Sequence, residues 1–328
     1  FSKDDGAGQL RVWSPDTEIA ANAILLESSP VKAEALFYHP AERCLDESCS
    51  DKPLPFLHQV RLVDLKPGTD YRYEVVQGAQ QSGGSFSTPG DGDQALRFIV
   101  YADSETEPES TGKNVLWTRP ENPNRSRRYP LDQTTGYAQN LEVIRSRKPD
   151  FVGIAGDLVQ SGGEQRDWDE FWRHNAALAA SIPIMPALGN HDYFGGPREL
   201  GKYSTEDTAR AVRKYQSYFD LPPNGMGPHH ERYYSVDWGP LTLVVLDLSN
   251  GVPHRSAADT NWFQRAEGEG GFAPSWAPGS LQYRWLEKTL QRAQRESAFT
   301  FVMFHYSPYS SGPHGLPAGE GEGEDRLS

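Results

Sequence analysis

Residues Ile182–Gly196 read IPIMPALGNHDYFGG. An apolar run stops abruptly at Gly189, Asn190, His191 and Asp192, and Gly195 and Gly196 follow within a few residues. The run is short, bounded by turn-forming residues, and reads as a buried strand. Its polar ending is a place for chemistry: an Asn carbonyl oxygen can bind a cation, a His can face a substrate, and an Asp can hold one imidazole nitrogen and fix the tautomer. The glycines are expected to let the backbone turn sharply without a Cβ.

The same pattern recurs along the chain. ALRFIVYAD ends in Asp103, PDFVGIAGD in Asp157 and FTFVMFHYSP carries His305. Any one polar residue after a strand is most simply a turn former. Four such endings together point to a shared site beyond the strand ends, where open α/β sheets place their ligands. Between them lie helical patterns in YAQNLEVIRSRK, DWDEFWRHNAALAAS and SLQYRWLEKTLQRAQRES, and RYYSVDWGPLTLVVLDL reads as a hairpin. Strands alternating with helices indicate an α/β domain over residues 96–328.

Upstream the pattern differs. QLRVWSP, AILLES, EALFYHP, LHQVRLVDL, YRYEVVQ and GGSFSTP are short strand-like runs separated by Gly, Pro, Asp and Ser. They predict an N-terminal β-sandwich over residues 1–95, joined through the Gly-rich TPGDGDQA. Within VDLKPGTDYRYEVV, the residues Leu65, Pro67, Thr69, Tyr71 and Tyr73 resemble the tyrosine corner of fibronectin type III domains, in which a core Tyr bonds the backbone of the preceding bend.

Bulk properties narrow the function. The 328 residues carry 32 Lys and Arg against 45 Asp and Glu, a net charge of −13. That balance argues against nonspecific nucleic-acid binding, and an anionic substrate would need local positive charge, which a metal site supplies. No apolar window is long enough to span a membrane. The two cysteines, Cys44 and Cys49 in ERCLDESCS, are most simply a local disulfide, two free thiols being the alternative. A disulfide would suggest a secreted or periplasmic protein. The chain lacks an initiator Met and a signal peptide, so it is expected to begin after processing or truncation. Oligomeric state is left open.

The ordered set YADSE, GDLVQ, GNHD and VMFH, with the QYRWLEKTLQRA helix before the last, resembles the calcineurin-like metallophosphoesterases, and within them the purple acid phosphatases. The N-terminal fibronectin-like region fits that arrangement. The resemblance implies a four-layer αββα catalytic domain behind a fibronectin III-like β-sandwich, and a dinuclear centre of divalent or trivalent ions, with Zn, Fe or Mn suited to a mixed Asp, Asn and His set. It implies that Asp157 bridges the two ions, that Asp103 binds the first, and that Asn190 and His305 bind the second. His191 would stand outside the metal shell as proton donor or charge stabiliser, oriented by Asp192. The implied reaction is hydrolysis of a phosphate monoester by metal-bound hydroxide, on a small-molecule ester substrate. The alternatives are a phosphodiesterase or nucleotide hydrolase of the same fold, or a noncatalytic phosphate- or partner-binding protein on a degraded site.

Three departures qualify the resemblance. The Asp-x-His of many metallophosphoesterases reads Asp103-Ser104-Glu105, so Glu105 either replaces the His as a ligand of the first metal or is a surface glutamate. Gln160 stands where purple acid phosphatases have a Tyr, so no phenolate-to-iron colour is expected. No Gly-His-x-His segment follows His305; an incomplete chain is expected, the alternatives being a partner segment that supplies these ligands or a crippled site. Four further residues are candidate substrate contacts: Tyr309 and His314 after the last strand, and Arg127 and Arg128 in the basic segment KNVLWTRPENPNRSRRYP, whose bland reading is a solvated loop. His229 and His230 read as exposed loop residues and His174 as structural.

Overall fold

The structure, a computed structural model, describes residues 1–15, 23–40, 42, 52–90, 92, 94–106, 116–119, 122–128, 133–195, 205–225, 227–249 and 273–306. Cys44, Cys49, Tyr309 and His314 lie outside them.

In the N-terminal region, β1 (Gly8–Trp13), β2 (Ile24–Ser28), β5 (Asp70–Gln77) and β6 (Gln80–Ser87) form an antiparallel sheet in the order β2-β1-β5-β6. β3 (Val31–Lys32) and β4 (Phe56–Leu57) form a second, two-stranded sheet. Two predicted strands are corrected. EALFYHP is irregular, and LHQVRLVDL leaves the ladder after Leu57. The first of them serves contacts with the rest of the molecule instead. The Phe37 carbonyl accepts from Lys214 Nζ at 2.6 Å, and the Tyr38 hydroxyl donates to Asp169. Tyr71 behaves as its motif predicts: it is buried, stacks on Phe86 at 5.4 Å, and its hydroxyl accepts from the Lys66 backbone N–H at 2.9 Å.

The remainder builds two three-stranded sheets. The first orders β11 (Ile184–Ala187), β10 (Phe151–Ala155) and β7 (Phe98–Tyr101), all parallel. The second orders β12 (Tyr234–Trp238), β13 (Leu241–Val245) and β14 (Phe299–Met303), with an antiparallel hairpin and a parallel β13–β14 pair. They meet through aromatic rings. Phe98 stacks on Phe151 at 5.0 Å and meets Phe301 edge-on at 5.3 Å, while Phe151 lies 5.5 Å from Trp238. Gly153 leaves room at this junction, since a Cβ there would stand 2.8 Å from Met303 Sδ.

Four helices complete the described chain: α1 (Gln133–Ser146), α2 (Gln165–Ala179), α3 (Thr205–Tyr218) and α4 (Leu281–Glu296). The first, second and fourth follow the apolar spacing of their sequences. The sequence reading missed α3. Its buried face carries Ala211, Val212 and Tyr215, but Arg210 and Lys214 are buried beside them and break the apolar stripe. Arg210 donates to the Gly163 and Gly195 carbonyls, and Lys214 to Phe37 O and Gln165 Oε1. A second miss is the basic segment read as a loop. β8 (Leu116–Arg119) and β9 (Asn122–Arg128) pair antiparallel there, with Leu116 opposite Arg128 and Trp117 opposite Arg127. Pro123 falls in the irregular part of β9, between the pairs Arg119–Asn122 and Thr118–Ser126, where proline is tolerated.

Helix α2 is gripped at both ends from the N-terminal region. Its N-cap residue, Glu164, makes no side-chain cap bond. Instead Glu42 Oε2 accepts from the Gln165 and Arg166 backbone N–H groups at 2.9 and 3.2 Å, placing a buried carboxylate on the positive end of the helix. At the other end the Tyr73 hydroxyl donates to Ala180 O at 2.8 Å.

Candidate active site

The three parallel strands of the first sheet and β14 of the second end at one place. Asp103 and Asp157 sit two residues past β7 and β10, and both take left-handed backbone, φ 53° and 51°. Asp tolerates that conformation better than most residues, yet strain repeated at two adjacent strand ends marks a functional edge. The two turns are tied together: Asp103 N–H donates to Gly156 O at 3.3 Å and Ser104 N–H to Asp157 O at 3.2 Å.

Glycine is required here for space. A Cβ on Gly189 would stand 2.3 Å from Asp157 Oδ1 and 2.4 Å from its backbone N. Gly189 has no positive φ; what matters there is close approach. Gly156 needs both, with φ +86° and a Cβ position 2.7 Å from the His305 ring. After Gly189 the chain enters a 3-10 turn, His191–Tyr193, which brings His191 N–H to Asp157 Oδ1 at 2.8 Å.

Two groups of side chains share Asp157. Ligand atoms of Asp103, Asp157 and His305 lie within 4.8 Å of one another, and so do those of Glu105, Asp157 and His191. Asn190 Oδ1 is 3.2 Å from His305 Nε2 and so joins the first group. Asp103 and Glu105 therefore fall into different groups, whereas the resemblance implied one metal for both. Every metal-ligand candidate of the sequence reading, and His191 with them, is at this edge.

The electrostatics are those of crowded carboxylates. Burial pushes Glu105 up to about 8, helped by the charge of Asp157. Its Oε2 is buried with no hydrogen-bond partner among the described residues. Burial opposes charge on both members of the Asp157–His305 pair, but their mutual attraction at 3.3 Å wins. It holds Asp157 below the usual carboxylate range and His305 up at about 9. His305 Nδ1 donates to Ala155 O at 2.9 Å, which turns Nε2 toward Asp157 and Asn190.

Asp192 does not orient His191, as had been expected. Its carboxylate is fully buried and accepts backbone N–H groups: Leu158 and Val159 on Oδ1 at 3.0 and 3.3 Å, Gly189 on Oδ2 at 2.8 Å. It ties the turn after β10 to the turn after β11, and so sets the distance from Asp157 to Asn190. The imidazole is held by Gln160, the residue standing in the tyrosine position. The Gln160 carbonyl lies 2.9 Å from His191 Nδ1, and its side-chain amide 3.0 Å from the same atom. A carbonyl only accepts and an amide N–H only donates, so the two contacts belong to different tautomers: in the carbonyl contact Nδ1 carries the proton, and in the amide contact Nε2 does. Phe194 packs on the ring at 4.4 Å.

Other expectations divide. His174 is structural: it bonds Glu170 at 3.0 Å and packs on Tyr137. His229 is not an exposed loop residue but fully buried, with its carbonyl accepting from Asn224; His230 is exposed. Arg127 and Arg128 lie on β9, opposite Trp117 and Leu116. Sequence reasoning missed Thr106, which leaves the Asp103 turn to donate to Glu170 Oε1 at 3.1 Å, and the buried trio Tyr193, Arg232 and Asp247 beneath the His191 turn. The adjacency of Tyr193 to GNHD was the only available signal for the latter.

Comparison with known proteins agrees with this geometry. Residues 130–323 match the family model of the calcineurin-like phosphoesterases. An uncharacterized protein of Mycobacterium tuberculosis is 28% identical over 254 residues, which cover 75% of this chain and 41% of that protein. Purple acid phosphatase 21 of Arabidopsis thaliana is 25% identical over 266 residues, 81% of this chain and 46% of that one. Another Arabidopsis relative, named probable inactive purple acid phosphatase 27, is 23% identical over 74% of this chain and 34% of its own length. The chain thus spans less than half the length of these curated relatives. The solved purple acid phosphatase from yellow lupin (Lupinus luteus) seeds shares the fold, with a TM-score of 0.56 over 95% of this chain and 48% of that one at 18% identity. The chain belongs to the calcineurin-like phosphoesterase family.

Proposed function

We propose that this chain carries a two-metal phosphoesterase centre that hydrolyses phosphate monoesters. The observation that supports it is the sharing of Asp157 between two clusters, Asp103 and His305 with Asn190 on one side and Glu105 on the other with His191 beside it. Such a donor set fits Zn, Fe or Mn better than it fits Ca. The unpartnered, buried Glu105 Oε2 fits a cation better than it fits solvent. Asp103, Asp157, Asn190 and His305 would hold one ion; Glu105 and Asp157 would hold the other, with His191 at its edge. Two such ions would acidify a bound water and clamp phosphate oxygens.

The protein's own groups complete the chemistry. With Nδ1–H given to the Gln160 carbonyl, His191 presents Nε2 toward the ester, and in its protonated form it delivers that proton to the leaving oxygen. Asp192 and Gly189 keep the bridging carboxylate and the His191 turn at fixed separation. Around the site we place a metallophosphoesterase domain of four αββα layers over residues 96–328. Residues 1–95 form a fibronectin III-like β-sandwich in this reading, supported by the two antiparallel sheets and the Tyr71–Lys66 corner. The arm bearing Arg127 and Arg128 is proposed to meet anionic parts of the substrate.

Metal content by mass spectrometry, with assays on aryl phosphate mono- and diesters, tests the reading. About two ions per chain and turnover that falls at least ~10²-fold in His191→Ala, the usual scale of one general acid, are expected. Faster cleavage of the diester would select a phosphodiesterase. Bound phosphate without turnover would select the binding-protein reading, in keeping with relatives named probable inactive.

A further inference from the structure

Glu105 is the chain's own variation on the site, and the structure holds it in an unusual way. On its N-terminal side, Asp103 and Ser104 are pinned by backbone bonds to Gly156 and Asp157. On its C-terminal side, Thr106 is buried and its hydroxyl donates to Glu170 Oε1 at 3.1 Å. Glu170 is itself buried on α2 and built to stay ionised. It accepts from His174 at 3.0 Å and pairs with Arg173, and these contacts outweigh burial and hold its carboxyl below the usual range. Glu105 is thus suspended between two fixed points, with one carboxylate oxygen buried and unpartnered beside Asp157 and His191.

We infer that Thr106 and Glu170 form a positioning pair that sets Glu105 as a cation ligand. The inference rests on the two-metal reading above. A carboxylate on an unrestrained turn would swing out to solvent, away from the neighbouring Asp157 carboxylate, because a buried carboxylate oxygen without a partner is costly. The Thr106–Glu170 bond removes that option before any ion arrives. Supporting contacts of this kind typically govern metal affinity by ~10–100-fold.

The test uses the full chain and Mn²⁺ alone, with bound ions per chain counted across a chelator-buffered series of free Mn²⁺. Thr106→Val keeps the shape and removes the hydroxyl. It should weaken one of the two ions by ~10–100-fold while leaving the other and the far-ultraviolet circular dichroism unchanged, and Thr106→Ser should restore both. If valine prevents folding, Thr106→Ala replaces it. Thr106→Val that binds both ions as the unaltered chain does, or weakens both alike, overturns the inference while leaving the two-metal centre standing. An unaltered chain that takes up no Mn²⁺ or other transition ion overturns the two-metal reading, and this inference with it.

Discussion

The sharpest perturbation available is a single methyl group at Gly189. Its Cβ would lie 2.3 Å from Asp157 Oδ1 and 2.4 Å from Asp157 N, where ordinary contact begins near 3.4 Å. The deficit is about 1 Å. The Asp157 backbone cannot give way easily, since Ser104 N–H holds its carbonyl and Leu158 N–H is held by Asp192. The Gly189 side is fixed by its own bond to Asp192 Oδ2. Gly189→Ala must therefore push the Asp157 carboxylate aside by about that distance. Metal–ligand distances tolerate only ~0.2 Å, so a shift of this size uncouples the shared ligand from at least one group. A misplacement of ~1 Å at reacting groups costs ~10²-fold in rate. Gly189→Ala should therefore retain one transition ion or fewer per chain after dialysis and lose at least ~10²-fold in aryl phosphate hydrolysis. Its circular dichroism should match the unaltered chain, because the atoms nearest the new methyl belong to the Asp157 turn and not to a helix. Two retained ions and a rate within threefold of the unaltered chain would refute the reasoning, and with it the claim that Gly189 is there for close approach.

Two further outcomes follow from the clamp on α2. Glu42→Ala strands the Gln165 and Arg166 N–H groups and removes a buried negative charge from a helix N-terminus, and should cost about 3–5 kcal/mol of unfolding free energy in urea; Glu42→Gln, which keeps an acceptor, should cost about half as much. Burial lowers the Lys214 amine to about 8, well under its unfolded value, so folding favours the neutral amine. The lysine's penalty is constant below pH 8 and relieved as pH rises from 8 toward 10. The stability of the unaltered chain should then gain on that of Lys214→Met by up to about 1 kcal/mol per pH unit over that window in urea titrations.

The strand ends were legible because each is a local event. An apolar run of four or five residues followed by Asp, Asn or His states both the strand and its polar stop, and Asp103, Asp157, Asn190 and His305 converge as that pattern demands. What supports them was not legible. Asp192 adjoins His191 in sequence but serves backbone groups 33 and 34 residues away, and Gln160 holds the imidazole from another turn. Helix α3 was hidden because its buried Arg210 and Lys214 find carbonyl partners that only the folded chain supplies. EALFYHP misled for the opposite reason: it makes contacts to other elements, Phe37 O to Lys214 and Tyr38 to Asp169, and not a ladder.

Those contacts give the N-terminal region a task beyond standing beside the site. Glu42 and Tyr73 hold the two ends of α2, and Tyr38 reaches Asp169 on its flank. The same helix carries Glu170, which holds Thr106 next to Glu105, and its C-terminal end leads directly into β11, which delivers Asn190 and His191. One rigid element thus connects the N-terminal sheet to both sides of the carboxylate cluster. Loss of the clamp should then appear twice in Glu42→Ala, as lowered stability and as weaker hold on the ion facing Glu105, whereas a purely peripheral N-terminal region would show only the first. The second signal measured on folded protein, well below the unfolding midpoint, separates the two cases, because global unfolding contributes nothing to metal counts there.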